Sequence, residues 1–155
     1  LEEHILAELM RRRQLDEEEG GHKVRVRVLI EAQAIEEGLL KKTVAQIRQN
    51  LSAEPHFKVY ALEEAEPVKE GEYYSSYVDA NLSVKDFRAL MRLMLFYGPS
   101  SVEVLKPHKV ELSLEELQDG LVDVAEMVHA YADYIHGLLG KKELEEFHKR
   151  LYGQK

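Results

Sequence analysis

The sequence predicts an α+β fold, a ferredoxin-like split β-α-β sandwich with a four-stranded antiparallel sheet. The first observation is a repeat. Residues 24–62 and residues 73–105 each have the pattern of a strand, an amphipathic helix and a second strand. The second observation is that the strand segments alternate apolar and polar residues, as strands with one buried face do. An N-terminal helix, a long C-terminal helix and a short final helix complete the predicted architecture.

The first repeat begins with the strictly alternating strand of residues 24–30, in which the valines point one way and the arginines the other. A crossover helix follows, with apolar residues at helical spacing from Leu40 to Leu51. Residues 57–62 form the returning strand. Proline and glycine within residues 66–71 then predict a hairpin into the second repeat.

The second repeat consists of a strand at residues 73–82, a helix at residues 87–97 and a strand at residues 101–105. Ser83 and Asp86 have the spacing of a capping box and predict where the helix starts. Gly98 and Pro99 predict its end, because glycine adopts the left-handed conformation after a helix and proline cannot continue one.

The predicted single domain, residues 1–155, has three parts. Residues 1–22 comprise a short helix over residues 1–15 and an acidic linker, residues 23–112 form the ferredoxin-like core, and residues 113–155 form a helical extension. A second capping box at Ser113 opens a helix that runs to about residue 139. Gly140 separates it from a final helix over residues 141–152.

Composition narrows the class of protein. A chain of 155 residues with 45% hydrophobic content can build one sizeable core. A net charge of −8 argues against a duplex-binding protein, because such proteins neutralise phosphates with basic side chains. No apolar run approaches the roughly 18 residues of a membrane span, and the N-terminus lacks a signal-peptide pattern, so a cytoplasmic protein is expected. The chain has no cysteine and no nucleotide-binding or hydrolase motif, and no cofactor is expected.

One local stretch resembles a known family. Residues 95–107, LFYGPSSVEVLKP, are similar to the helix-turn-strand in the C-terminal ferredoxin-like extension of WYL-domain transcription regulators. The resemblance is confined to this stretch. It implies the same fold and a small-molecule-sensing or assembly role.

The open face of the predicted sheet is the first candidate site. Tyrosine rings stack on unpaired bases and arginines bind phosphates, so this face is a candidate for a small ligand or single-stranded RNA. The alternative is cross-strand pairing of the arginines with Asp79 and Glu103. The candidate ligand-binding residues, with the arginines expected beside the tyrosines, are Arg25, Arg27, Lys58, Tyr60, Tyr73 and Tyr77.

The long C-terminal helix carries an apolar seam with heptad spacing from Leu114 to Leu138. A helix of about 25 residues spans close to 38 Å, more than a small sheet needs. Self-association as a dimer or larger is therefore expected; the alternative is that the helix lies across its own sheet. The predicted interface residues are Leu117, Leu121, Val124, Val128, Tyr131 and Ile135.

Carboxylates and histidines recur on a flank of the same helix. Glu126 and His129 have the Glu-x-x-His spacing by which helix bundles hold di-iron sites, and Asp133 and His136 repeat it with aspartate. Groups at i and i+3 share a helix face, which makes these four residues a candidate metal site. The alternative is a solvated polar face, because a metal site needs further ligands from a second element.

Together these features predict a non-enzymatic module for homo-oligomeric assembly or small-ligand binding. Two alternatives stay open: a metal-dependent enzyme that uses the acidic and histidine flank, and a single-stranded RNA binder that uses the open sheet face. The expected partners are a second copy of the chain and a small molecule, with neither membrane nor nucleic acid expected.

Overall fold

The computed structural model describes residues 3, 5–7, 10 and 24–153. Residues 3, 5–7 and 10 are helical, while the rest of the helix predicted at residues 1–15 and the predicted acidic linker lie outside the described residues. The strands are β1 (Val24–Ala34), β2 (Phe57–Glu64), β3 (Val68–Glu70), β4 (Tyr73–Val84) and β5 (Ser101–Lys106). The helices between residues 24 and 153 are α1 (Glu37–Ala53), α2 (Phe87–Tyr97), α3 (Leu114–Leu138) and α4 (Lys141–Tyr152).

The strands form one antiparallel sheet in the order β2-β4-β1-β5, and β3 pairs with the start of β4. The two longest strands, β1 and β4, lie in the middle and pair from Val24 opposite Val84 to Ala34 opposite Tyr74. The prediction of four strands is wrong in number, because the described sheet has five. The strand that it missed, β3, has three residues, which are too few to display an alternating pattern.

The core lies between one face of the sheet and the helices α1 and α2. Alternate residues of β1 and β4 point to this face, so their apolar side chains are removed from water as a continuous layer. Leu40 and Leu51 of α1 and Leu93 of α2 have no exposed surface and complete the layer from the helical side. Both crossover helices therefore pack as the amphipathic patterns predicted.

Helix ends follow the chemistry of their capping residues. The side chain of Asp86 accepts a 2.8 Å hydrogen bond from the Ala89 amide, and α2 ends at Gly98, which has a left-handed φ of 51°. The predicted capping box at Ser83 is wrong, because β4 continues to Val84 and Asp86 is itself the N-cap. The box predicted at Ser113 is confirmed, with both reciprocal hydrogen bonds present.

Helix α3 packs on α2, which is its main neighbour rather than the sheet. Gly120 permits the close approach, since a Cβ atom there would lie 2.5 Å from Cε1 of Phe87. An ion pair from Arg88 to Asp123 closes one side of the contact. Although α3 has 25 residues, neither it nor another helix of the described residues has the apolar character needed to cross a membrane.

Candidate functional site

The open face of the sheet separates the six candidate ligand residues into two groups. Strand register places Arg25 and Lys58 opposite the same residue, Ser83, at one end of the face. Tyr77 lies opposite Glu31, six residues along β4 from Ser83, which is about 20 Å at 3.3 Å per residue. Tyr73 is farther still along the same strand. The expectation that the arginines lie beside these two tyrosines is therefore wrong.

A stacked cluster occupies the first end of the face. The Arg25 guanidinium lies 4.1 Å from the ring centroid of Tyr60, and its Nε donates a 2.9 Å hydrogen bond to Oδ1 of Asn81. Lys58 approaches the same ring, with Nζ 5.4 Å from the centroid. The Tyr60 hydroxyl lies 3.1 Å from Oγ of Ser83, which is completely covered. Cation–π contacts and hydrogen bonds thus hold this cluster in one arrangement.

Arg27, the second arginine of β1, forms a bidentate pair with Asp79. Its Nη2 and Nε donate hydrogen bonds of 2.6 and 3.0 Å to the two carboxylate oxygens. This contact holds the pKa of Asp79 below its ordinary value and raises that of Arg27. Glu103 and Glu63 add further negative charge around the guanidinium. The cross-strand pair expected as the alternative for Arg27 is present. It engages the guanidinium group that a phosphate would otherwise bind.

The apolar seam of α3 is divided between two sides of the helix. The side toward α2 includes Gly120, half-buried Val124, and Tyr131, whose hydroxyl donates a 3.1 Å hydrogen bond to the Leu95 carbonyl. At 3.6 residues per turn, Leu121 lies about a quarter turn round the helix from that side. We call this second side the outer stripe; its members, all exposed, are Leu114, Leu117, Leu121, Ala125 and Val128.

Ile135 of the predicted interface is half-buried, near the end of α3.

The candidate metal residues lie on the same helix but do not converge. Glu126, His129 and Asp133 are exposed, and no group of three or more histidine, aspartate or glutamate side chains in the described residues could hold a metal ion. His136 instead faces α4, with its Nε2 3.4 Å from Nε2 of His148.

One cavity is a feature that the sequence analysis did not predict. It has a volume of about 490 Å³ and lies between the C-terminal ends of α1 and α2. Its walls include Phe57, Phe96 and Tyr97, with Arg92 and Glu54 at the rim. The aromatic residues fit the apolar pattern of their strand and helix, so the sequence alone assigns them to the core. Arg92, a charge beside that pattern, is the one available signal.

No curated protein and no solved structure gives a significant match to the chain. No match links residues 95–107 to WYL-domain regulators. The MJ0538 family, in contrast, matches residues 25–153. This range includes the whole described sheet apart from its first residue, the four helices, the outer stripe and the cavity. Since the match extends over far more than half of the sequence, the chain belongs to the MJ0538 family.

Proposed function

We propose that this protein is a non-enzymatic assembly module in which two copies join through the outer stripe of α3. One observation carries the proposal: Gly120 is the only buried residue of α3 in the described chain. Leu121 and Val128 of the outer stripe are 58% and 55% exposed. Burying apolar surface contributes about 25 cal/mol per Å², and a row of such side chains is what a partner helix removes from water.

Charge favours a second copy of the chain in the antiparallel direction. Helix α3 carries six acidic residues and neither lysine nor arginine, and five of the six lie in residues 115–126. Lys141 and Lys142 follow directly after the helix. A parallel pair would align like charges along the whole contact, whereas an antiparallel pair sets the acidic start of one helix near the partner's lysines.

The spacing of the apolar seam is compatible with the same direction. The spacing of three and four along the seam reads identically from both ends, so an antiparallel copy still sets apolar positions against apolar positions. Aligned about the centre of the seam, Leu114 lies opposite the partner's Leu138 and Leu117 opposite the partner's Ile135.

The proposal includes a finer assignment of the fold. The strand order β2-β4-β1-β5, entirely antiparallel, with a helix between β1 and β2 and another between β4 and β5, supports a ferredoxin-like split β-α-β arrangement. In this arrangement β3 is an addition to the hairpin, and α3 and α4 are an extension. The extension supplies the assembly surface, while the sheet supplies a rigid base for it.

Sedimentation of the wild type and of two matched variants tests the proposal. Val128→Glu places a charge in the outer stripe and should give a folded monomer. Val122→Glu changes another exposed valine of the same helix, 45% exposed but on a different side, and should leave the dimer intact. A wild type that is monomeric at about 100 µM would contradict the proposal, because its free energy of dissociation would then be below about 5.5 kcal/mol.

Cross-linking tests the direction of pairing. The chain has no cysteine, so single cysteines report without background. A mixture of Leu114→Cys and Leu138→Cys proteins should form a disulfide-linked heterodimer when the helices are antiparallel. Leu114→Cys alone should cross-link to itself only when they are parallel. Efficient self-linkage of Leu114→Cys would overturn the antiparallel assignment while retaining the dimer.

A further inference from the structure

The cavity between the C-terminal ends of α1 and α2 has the composition of a small-molecule site. Its volume, about 490 Å³, lies within the usual range of about 300–1,000 Å³ for ligand pockets. Phe57 is buried at its base, and its ring centroid lies 6.1 Å from that of Tyr97 at a tilted angle. Phe96 is 61% exposed and stands at the opening. Three aromatic rings therefore offer a surface on which a flat apolar group can pack.

Two opposite charges stand at the rim of this cavity without pairing to each other. Arg92 lies over the Phe96 ring, 5.4 Å from its centroid, and forms no ion pair in the described part of the chain. Glu54, half-buried, forms none there either. Burial raises the pKa of Tyr97, Glu54 raises it further, and Arg92 lowers it, which is consistent with a hydroxyl between the two charges.

The backbone adds a second negative region beside Glu54. Both α1 and α2 end at this cavity, and neither has a basic residue in its last turn. The C-terminal end of a helix carries a partial negative charge, which a nearby cation normally balances. One side of the cavity therefore favours an ammonium group, and the guanidinium of Arg92 favours a carboxylate.

We infer that this cavity binds a free α-amino acid with an aromatic side chain. The ammonium group lies against Glu54 and the helix C-termini, the carboxylate pairs with Arg92, and the ring packs on Phe57, Phe96 and Tyr97. A zwitterion of this kind presents a group of opposite charge to each of the two at once. The site lies on α1 and α2, apart from the outer stripe of α3, so it goes beyond the proposed assembly and does not depend on it.

Calorimetric titration of the whole chain with L-phenylalanine and three analogues tests the inference. The analogues are 3-phenylpropionate, which lacks the amine, phenethylamine, which lacks the carboxylate, and glycine, which lacks the ring. L-phenylalanine should bind at least about tenfold more tightly than each analogue, the loss expected for one charge-assisted contact. Absence of L-phenylalanine binding up to about 10 mM would overturn the inference.

Matched variants locate the site. Arg92→Gln should weaken the binding of L-phenylalanine about tenfold and leave the binding of phenethylamine, which has no carboxylate, unchanged. Glu54→Gln should also weaken the binding of L-phenylalanine, and it should leave the binding of 3-phenylpropionate, which has no amine, unchanged. The control is Arg48→Gln, which removes an exposed arginine of α1 that pairs with Glu64 outside the cavity, and it should bind like the wild type. Binding that neither cavity variant weakens would also overturn the inference. Repeating the titration with Val128→Glu separates this result from the assembly result.

Discussion

The sheet with its two crossover helices and the long helix α3 carry equally regular apolar patterns, yet they bury them very differently. In β1 the alternating apolar residues from Val24 to Ile30 are at most 3% exposed. In α3 the heptad residues Leu121 and Val128 are more than half exposed. Periodicity therefore determines which way side chains point, and what lies opposite them determines whether they are covered. For β1 the covering helices come from the same chain, whereas for the outer stripe we propose that the cover comes from a second copy.

The largest difference between the two regions should appear when equivalent leucines are shortened. Leu93 of α2 has no exposed surface and packs in the core, so Leu93→Ala should lower the free energy of unfolding by about 2–5 kcal/mol. Part of this loss is apolar transfer, and the rest comes from the cavity that neighbouring side chains cannot fill. Urea denaturation, measured at a protein concentration where the chain is monomeric, gives the value.

Leu121→Ala is the matched comparison, since it shortens a leucine of the same apolar periodicity on α3. In the monomer it should change the free energy of unfolding by no more than about 0.5 kcal/mol, because Leu121 is 58% exposed. The same variant should weaken self-association in sedimentation. Equal losses of monomer stability in the two variants would show that the outer stripe is covered within one chain.

The sequence could predict elements whose signals are local. Helix α2 ends at the predicted residue 97 because Gly98 and Pro99 act within one turn of the helix, and it begins at the predicted residue 87, although its cap is Asp86 and not the predicted Ser83. The start of α3 follows in the same way from the capping box at Ser113. These predictions need no knowledge of the rest of the chain, which is why they are accurate.

The sequence could not predict features that depend on distant parts of the chain meeting. Arg25 lies beside Tyr60 and Asn81 rather than Tyr77 because pairing between β1 and β4 joins residues about fifty positions apart. A shift of that register by a few residues would change every neighbour on the face without changing the alternating pattern. The cavity likewise forms only because the ends of α1 and α2 meet, and apart from the charge of Arg92 no local pattern in the sequence indicates it.

A smaller effect tests how α3 is attached to the first region. Gly120→Ala gains about 1 kcal/mol of helix propensity, but its Cβ would lie 2.5 Å from Cε1 of Phe87. The half-buried ring must then move, and overpacking of this kind costs about 1–3 kcal/mol. We expect a net loss of stability of up to about 2 kcal/mol by thermal or urea denaturation.

Gly137→Ala is the control in the same helix, because no atom lies within 4 Å of a Cβ at that position. It should raise the free energy of unfolding by about 0.5–1 kcal/mol, so the two glycine variants should change stability in opposite directions. Adding Phe87→Leu should recover part of the Gly120→Ala loss, since it removes the ring that clashes. Equal gains at both glycines would contradict the close packing of α3 on α2.

The smallest expected effect concerns the open sheet face, where Asp79 and Arg27 pair. The pKa of Asp79 is lowered in the folded protein from an ordinary value of 3.8, so the pair stabilises the fold above that value. The contribution should disappear as the pH falls through 3.8 toward the lower folded pKa. Asp79→Asn should therefore lose a little stability at neutral pH, and its difference from the wild type should shrink on acidification. The effect is small because the Arg27 side chain is 57% exposed, so water and salt screen the pair.

Arg27→Gln should give the same pH profile, and the double variant should add nothing further. Denaturation curves for wild type and Asp79→Asn that stay equally far apart from about pH 7 to about pH 3 would contradict the pairing.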